Sequence, residues 1–338
     1  MAASAYRLVH AAADQPAPSA VRTPELAAYE ALRFGVSFHF SMNTFTGKDY
    51  EPGNVPATTY KPSHLDVRQW IRVTQAAGAR YAVLTAKHMS GFCLWPSKFG
   101  DYSVADSGNT TDVVAEFVAA CEEYGVRPGA YYCIWDPHHG ADQDSAGHLS
   151  DSYIRLVHQH VTELLTRYPK LFYLLFDITV FLTDQQRWDL YRLVKQLNPR
   201  CLVVMNQLLL ESRRNRGRTV NPGAWPVDIV NSEDTLPPEA GHDPHVEVQG
   251  RQYYLPMESW MTSGPLYKFK NVPDVHAWFW RPGYVTRPAS ELYGFYQACL
   301  ARRANLLLNL APNTDGLLPQ DTVAQMQELK QLITNTRG

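Results

Sequence analysis

The chain has 338 residues, 45% of them hydrophobic and 19% charged, with a formal net charge of −2. That length suits one α/β barrel with elaborated loops, and so small a charge gives no ground for expecting nucleic acid or an anionic membrane surface as partner. No stretch approaches the ~18 apolar residues of a membrane-spanning helix, and the five cysteines are scattered, odd in number and without a CxxC pair, which argues against a disulfide framework or a structural zinc site.

Residues 1–24 are Ala- and Pro-rich and lack a continuous apolar run, so they are read as a strap or tail with no visible secretory signal, leaving the compartment open. The barrel domain is expected over 25–338. A short helix opens at Pro24 and runs to about Leu32. The first strand, Phe34 to Phe40, carries His39 near its end, and a long Gly/Pro/Asn-rich loop follows from Met42 to Pro62. A helix from Leu65 to Ala77 stops at Gly78; Tyr81 to Thr85 is a strand leading into Lys87-His88. Thr111 to Tyr124 is a helix, Ala130 to Trp135 a strand, and Ser150 to Tyr168 a helix. The next segment, Lys170 to Phe176, is an apolar run that ends abruptly in Asp177, as a strand buried on both faces would. Helix 184–197, strand 201–205, strand 227–231, strand 253–257 ending at Glu258, helix 291–302, strand 305–310 and helix 320–336 complete the chain.

Regular alternation of strand and helix means parallel strands joined by crossover helices. With about eight strand candidates, a closed (β/α)8-like, TIM-type barrel is favoured. An open doubly wound sheet is the alternative, but no G-x-G-x-x-G follows the first strand.

In such a barrel the strand ends form one rim, here His39, His88, Asp136, Asp177, Asn206, Glu233, Glu258 and Asn309. Asp177 either caps the next helix or serves chemistry. Asp177 and Glu258 each close an apolar strand, and Glu233 and Asp136 remain rivals to Glu258. Two carboxylates flanking an aromatic pocket are what glycoside hydrolysis requires. The 19 Tyr and 8 Trp supply aromatic faces in number, although most are expected to fill the core. The loop Pro137-His138-His139-Gly140-Ala141-Asp142-Gln143-Asp144 has metal-binding residue types but no third and fourth ligand at a recognised spacing. It is read as a polar loop, and no metal or cofactor is expected. The basic run Arg213 to Arg218 is read as a solvated loop.

Several stretches together resemble the family 29 glycoside hydrolases, the retaining α-L-fucosidases. They are Phe34 to Phe40 with Met42 to Lys48, Leu84 to His88 with Gly91 to Ser97, Tyr131 to Asp136, Leu175 to Asp177, Pro256 to Glu258, Trp278 to Trp280, and Asn305 to Asn309 with Pro312 to Gly316. The resemblance implies a barrel catalytic domain in which Asp177 matches the nucleophile and Glu258 the acid/base. It implies that His39 and His88 bond sugar hydroxyls, that Tyr131 and Trp278 contact the sugar, and that Asp49-Tyr50 replace the family's Glu-Trp. The chain departs from the family pattern at Met89-Ser90, where His-Asp is usual, and at Ile178, where glycine follows the nucleophile. The expected activity is hydrolysis of terminal α-L-fucosides on oligosaccharides or glycoconjugates. The alternatives are a weakened, fucose-binding barrel and a glycosidase for another L-sugar.

Overall fold

The computed structural model describes residues 15–142, 144, 147–206, 222–269 and 272–335; the basic run Arg213 to Arg218 lies outside the described residues. Its strands are β1 (Phe34–Phe38), β2 (Tyr81–Lys87), β3 (Arg127–Cys133), β4 (Tyr173–Asp177), β5 (Leu202–Met205), β6 (Val230–Glu233), β7 (His245–Val248), β8 (Arg251–Tyr254), β9 (Met257–Thr262), β10 (Leu266–Phe269), β11 (Val272–His276) and β12 (Ala304–Leu310). Eight of them form one all-parallel sheet in the order β5-β4-β3-β2-β1-β12-β9-β6. A single parallel bridge between Val204 and Ile229 joins its two edges and nearly closes the TIM-like barrel. Every residue of β1, β2, β5, β9 and β12 is buried, as continuous apolar runs in a covered parallel sheet should be. The pairs β7–β8 and β10–β11 are antiparallel hairpins outside the barrel.

The helices are α1 (Pro24–Glu30), α2 (Met42–Thr46), α3 (Val67–Ala77), α4 (Val113–Tyr124), α5 (Asp151–Arg167), α6 (Asp184–Leu197), α7 (Ala289–Ala301) and α8 (Gln320–Asn335). The crossover helices start where the sequence supplies a cap. Asp66, Asp112, Ser150 and Thr183 each accept a backbone N–H from the first turn of α3, α4, α5 and α6. Gly78 and Gly125 end α3 and α4 in the left-handed region. No helix among the described residues is long and apolar enough to cross a membrane. All five cysteines are buried and unpaired.

One sequence expectation fails at the bottom of the barrel. The run Tyr253 to Met257 is not one strand closed by Glu258: it is the end of β8, a break at Leu255-Pro256, and the start of β9. Proline has no N–H to continue a ladder, so the chain turns there. Glu258 is therefore the second residue of its barrel strand, level with Asn231 and Asn305 near the starts of β6 and β12. Its Oε2 accepts the hydroxyls of Tyr29 (2.9 Å) and Tyr81 (2.7 Å), and its Oε1 accepts the Tyr173 hydroxyl (2.7 Å) and the Asn231 amide (2.9 Å). Tyr29 comes from α1, which covers this end of the barrel. Gly35 and Gly129 leave space for the rings, since a Cβ would meet Tyr81 at 2.3 Å and Tyr173 at 3.0 Å.

Tyr173, which touches Glu258, opens β4, whereas Asp177 ends it. Four residue steps set them about 13 Å apart along the strand. Glu258 and Asp177 thus lie at opposite ends of the barrel and do not form a catalytic pair. Burial raises the Glu258 carboxyl above its ordinary range, and the four donors pull it back down.

Removing this acceptor strands three hydroxyls and an amide in a dry layer. Glu258→Ala is expected to lose about 3–5 kcal/mol of stability, and Glu258→Gln about 1–3 kcal/mol. Equilibrium urea unfolding of both variants measures this.

Candidate active site

The opposite rim is built where β-strands hand over to loops. Asp177 ends β4 half-buried at the rim and keeps three donors. The Tyr131 hydroxyl donates to Oδ2 at 2.6 Å, while the Ile178 N–H and the Asn206 amide donate to Oδ1, each at 2.9 Å. Burial is the larger influence, and it pushes the carboxyl from 3.8 up to about 6 against the pull of these bonds.

Asn206 directly follows β5. Its backbone is fixed by its N–H to the Phe176 carbonyl (2.8 Å) and by its own carbonyl, which accepts the Thr179 N–H (3.0 Å). Its side-chain nitrogen reaches two carboxylates, Asp177 Oδ1 at 2.9 Å and Glu233 Oε2 at 2.7 Å. Those two bond lengths cap the separation of the carboxylate oxygens at their sum, about 5.6 Å. Retaining glycosidases hold their carboxyl pair ~5–5.5 Å apart. Glu233 ends β6. The strand expected over Val227 to Asn231 is displaced toward the C-terminus, to Val230–Glu233, and this makes Glu233 its last residue rather than the second residue beyond it.

His39 follows β1. Its Nδ1 lies 2.6 Å from Asn309 Oδ1, and the Asn309 amide nitrogen donates to the Trp278 carbonyl at 2.8 Å. Asn309 Oδ1 is therefore an acceptor, His39 carries its proton on Nδ1, and Nε2 is left as an acceptor. Burial lowers the His39 pKa to about 3, so the ring is neutral. His88 stacks on Tyr131 at 5.4 Å; burial also holds it neutral, and its Nδ1 has no protein hydrogen-bond partner. Trp278 and Phe279 each pack 5.0 Å from the His39 ring, with Trp260 at 5.5 Å.

Two expected ligands are employed otherwise. Asp49 Oδ1 accepts the N–H groups of Trp278 (3.1 Å) and Phe279 (2.9 Å), so Asp49 positions the aromatic loop. The Tyr131 hydroxyl hydrogen is committed to Asp177. Tyr50 lies against Trp135 at 5.7 Å, and burial, followed by the charges of Glu233 and Asp177, raises its phenol. Asp136, the other rim carboxylate, is fully buried and paired with Lys87 at 2.9 Å. Burial opposes its ionisation, but the Lys87 ammonium and His139 hold the carboxyl well below its ordinary range.

A family model for α-L-fucosidases matches residues 21–335. The chain belongs to the α-L-fucosidase family. Among curated relatives, Alpha-L-fucosidase 1 of Arabidopsis thaliana is 27% identical over 306 residues, which cover 87% of this chain and 56% of the relative. Putative alpha-L-fucosidase 1 of Oryza sativa subsp. japonica is 28% identical over 339 residues, covering 94% and 60%. The chain thus spans a little over half the length of these relatives. A solved putative α-L-fucosidase from Bacteroides thetaiotaomicron superposes with a TM-score of 0.73 at 27% identity, over 94% of this chain and 69% of that one. A family 29 α-L-fucosidase from the same organism, trapped as a covalent intermediate with 2-fluoro-fucosyl fluoride, shares the fold: its TM-score is 0.73 at 19% identity, over 95% and 76%.

Against that family pattern, Ile178 is informative. It stands where the family has glycine, and its backbone keeps the left-handed conformation glycine favours (φ 57°, ψ 41°). A β-branched residue there costs about 1–2 kcal/mol, and its buried side chain helps to offset the strain. Met89 is buried in the core cluster. Sequence reasoning missed Trp260 and the bridging role of Asn206. Trp260 has the inward period-two spacing from Glu258 as its signal, whereas Asn206 has only its place after an apolar strand.

The raised Asp177 carboxyl carries a stability consequence. Its folded value of about 6 lies above the unfolded value, so its ionisation weakens the fold. The penalty is absent below about pH 4, grows as pH rises to about 6, and reaches ~3 kcal/mol above that. Asp177→Asn is expected to melt higher than the parent at pH 7.5, the gap closing by pH 4, as followed by calorimetry.

Proposed function

We propose that the chain hydrolyses terminal α-L-fucosides with retention, Asp177 acting as nucleophile and Glu233 as acid/base. The observation that carries this reading is the shared Asn206 amide, which holds the two carboxylates within the distance a glycosyl-enzyme mechanism needs. Family membership supplies the sugar.

In the first step an Asp177 oxygen attacks the anomeric carbon, the bond to the aglycone oxygen breaks, and Glu233 gives that oxygen its proton. Oδ2 suits the attack, because it accepts one hydrogen bond where Oδ1 accepts two. In the second step Glu233 takes a proton from water, the water oxygen attacks the same carbon, and Asp177 leaves. His39 accepts from a sugar hydroxyl through Nε2, His88 offers a second polar edge, and Trp278 faces the apolar side of the ring. The substrate class is a fucosylated oligosaccharide or glycoconjugate.

Asp177→Ala is expected to lose nearly all turnover of an aryl α-L-fucoside, and azide is expected to restore part of it as the inverted glycosyl azide. Glu233→Ala is expected to slow poor leaving groups far more than good ones, while Glu258→Gln treats both alike. Equal losses on both leaving groups in the Glu233 variant would remove Glu233 from the acid role.

The pH profile supplies a separate check. The acid limb of kcat/KM is expected near pH 6, where Asp177 takes up its proton. Tyr131→Phe removes a donor that favours the charged carboxylate, so the limb moves to higher pH. A limb that stays in place or moves lower contradicts this assignment.

A further inference from the structure

Away from the two carboxylates, three loops of the rim converge on a set of nitrogen and oxygen atoms that the hydrolytic reading does not use. His138 and His139 lie on the turn after β3, and Asp101 lies 37 residues before His138, in the loop after β2. One ligand atom from each, all mutually within 4.8 Å, faces the others. Asp101 Oδ1 is 3.3 Å from His138 Nε2 and 3.6 Å from His139 Nε2. Tetrahedral zinc, with bonds of about 2.0–2.2 Å, holds its ligands roughly 3.3–3.6 Å apart.

The far side of each ring fixes its tautomer. His138 Nδ1 donates to the Gly53 carbonyl at 2.8 Å, and His139 Nδ1 donates to the buried Asp136 carboxylate at 2.9 Å. With Nδ1 committed as a donor, Nε2 is the atom each ring offers toward the Asp101 carboxylate as a ligand. His139 Nε2 is buried and has no hydrogen-bond partner. Three electron-rich atoms so placed repel one another unless positive charge lies between them. A single proton answers one contact, whereas a divalent ion answers all three.

The surroundings also fit an ion. Carboxylate–histidine support behind a ligating nitrogen is the usual outer arrangement of a histidine metal site. Residue 100 is glycine, and a Cβ there would meet His139 Nε2 at 3.1 Å, so its absence keeps room beside that nitrogen. The Asp101 side chain is 84% exposed, which gives an entry path and a place for a water ligand.

We propose that His138, His139 and Asp101 bind one divalent cation of the zinc class. Two imidazoles and one carboxylate suit zinc or cobalt over calcium or magnesium. The ion joins the loops after β2 and β3, and through the Gly53 contact it also braces the loop after β1 that carries Asp49 and Tyr50. It touches neither Asp177 nor Glu233, so its role is to hold the rim. Sequence spacing hides this site, because the third ligand is supplied by the fold.

The test uses the full chain after chelator dialysis, and its readouts do not depend on hydrolysis. Calorimetric titration with Zn2+ is expected to give one saturable site, Co2+ a visible tetrahedral absorption band, and Zn2+ a melting temperature higher by several degrees. Calcium and magnesium are expected to leave melting unchanged. Asp101→Asn, His138→Gln and His139→Gln are each expected to weaken Zn2+ binding by about tenfold or more. Asp101 is exposed, so its variant folds like the parent and decides the matter even if a histidine variant does not fold. Absence of saturable binding overturns the proposal, as does binding of parental strength in Asp101→Asn. A cluster whose only response is to pH, with no metal effect, also overturns it and marks a proton-held ion pair.

Discussion

The side-chain amide of Asn206 gives hydrogen bonds to two carboxylates from different strands, and the geometry of the rim follows from that sharing. Two carboxyl groups this close disfavour each other's ionisation, and a neutral bridging donor lowers that cost without neutralising either. The residue is itself anchored by Phe176 of β4 and by Thr179 just after it, so the strand that ends in Asp177 sets the position of the group that fixes the other carboxylate. The rest of the rim is arranged around this contact. The histidines are kept neutral by burial, and the aromatic loop is tied down by Asp49.

The same barrel buries a carboxylate at its other end, and the contrast separates a saturated charge from one with room for a further partner. Glu258 has two donors on each oxygen, three of them tyrosine hydroxyls whose rings pack on one another and the fourth the Asn231 amide. Asp177 has three donors and an oxygen with spare capacity, beside aromatic surface. A saturated carboxylate closes a layer, whereas an unsaturated one is available to react. Desolvation alone does not separate the two, since it raises both carboxyls.

The barrel and the strand-end position of Asp177 are legible in the sequence because the signals are local and continuous: alternating strand and helix, and one apolar run with a charge at its end. Glu258 was misplaced because the role of a strand residue depends on where its strand begins. Two strands separated by Leu255-Pro256 read as one apolar run, which turned a bottom residue into a rim residue. Glu233, a rim candidate beside Glu258, falls two residues beyond the strand read over 227–231, and only the observed β6 makes it a strand-end residue. Nothing near His138 announces Asp101, and nothing in the sequence says that Asn206 serves two strands at once. Such facts belong to closure of the sheet rather than to any segment of it.

That closure is thin in one place. Around most of the barrel a ladder of several residue pairs ties each strand to its neighbour, but among the described residues the β5–β6 seam has one bridge, Val204–Ile229, beside which the Asp228 N–H donates to the Val203 carbonyl and the Val203 N–H to the Asp228 carboxylate. Asn206 follows one side of this seam and Glu233 ends the other. The gap between the two carboxylates is thus gauged by a side chain, not by a backbone ladder, and it is adjustable with little damage to the fold. A gap of about 6.5–9.5 Å admits a water molecule between sugar and base and converts retention to inversion. Shortening the residue at 206 or loosening the seam is therefore the natural route by which a retaining barrel of this design would become an inverting one while keeping both carboxylates.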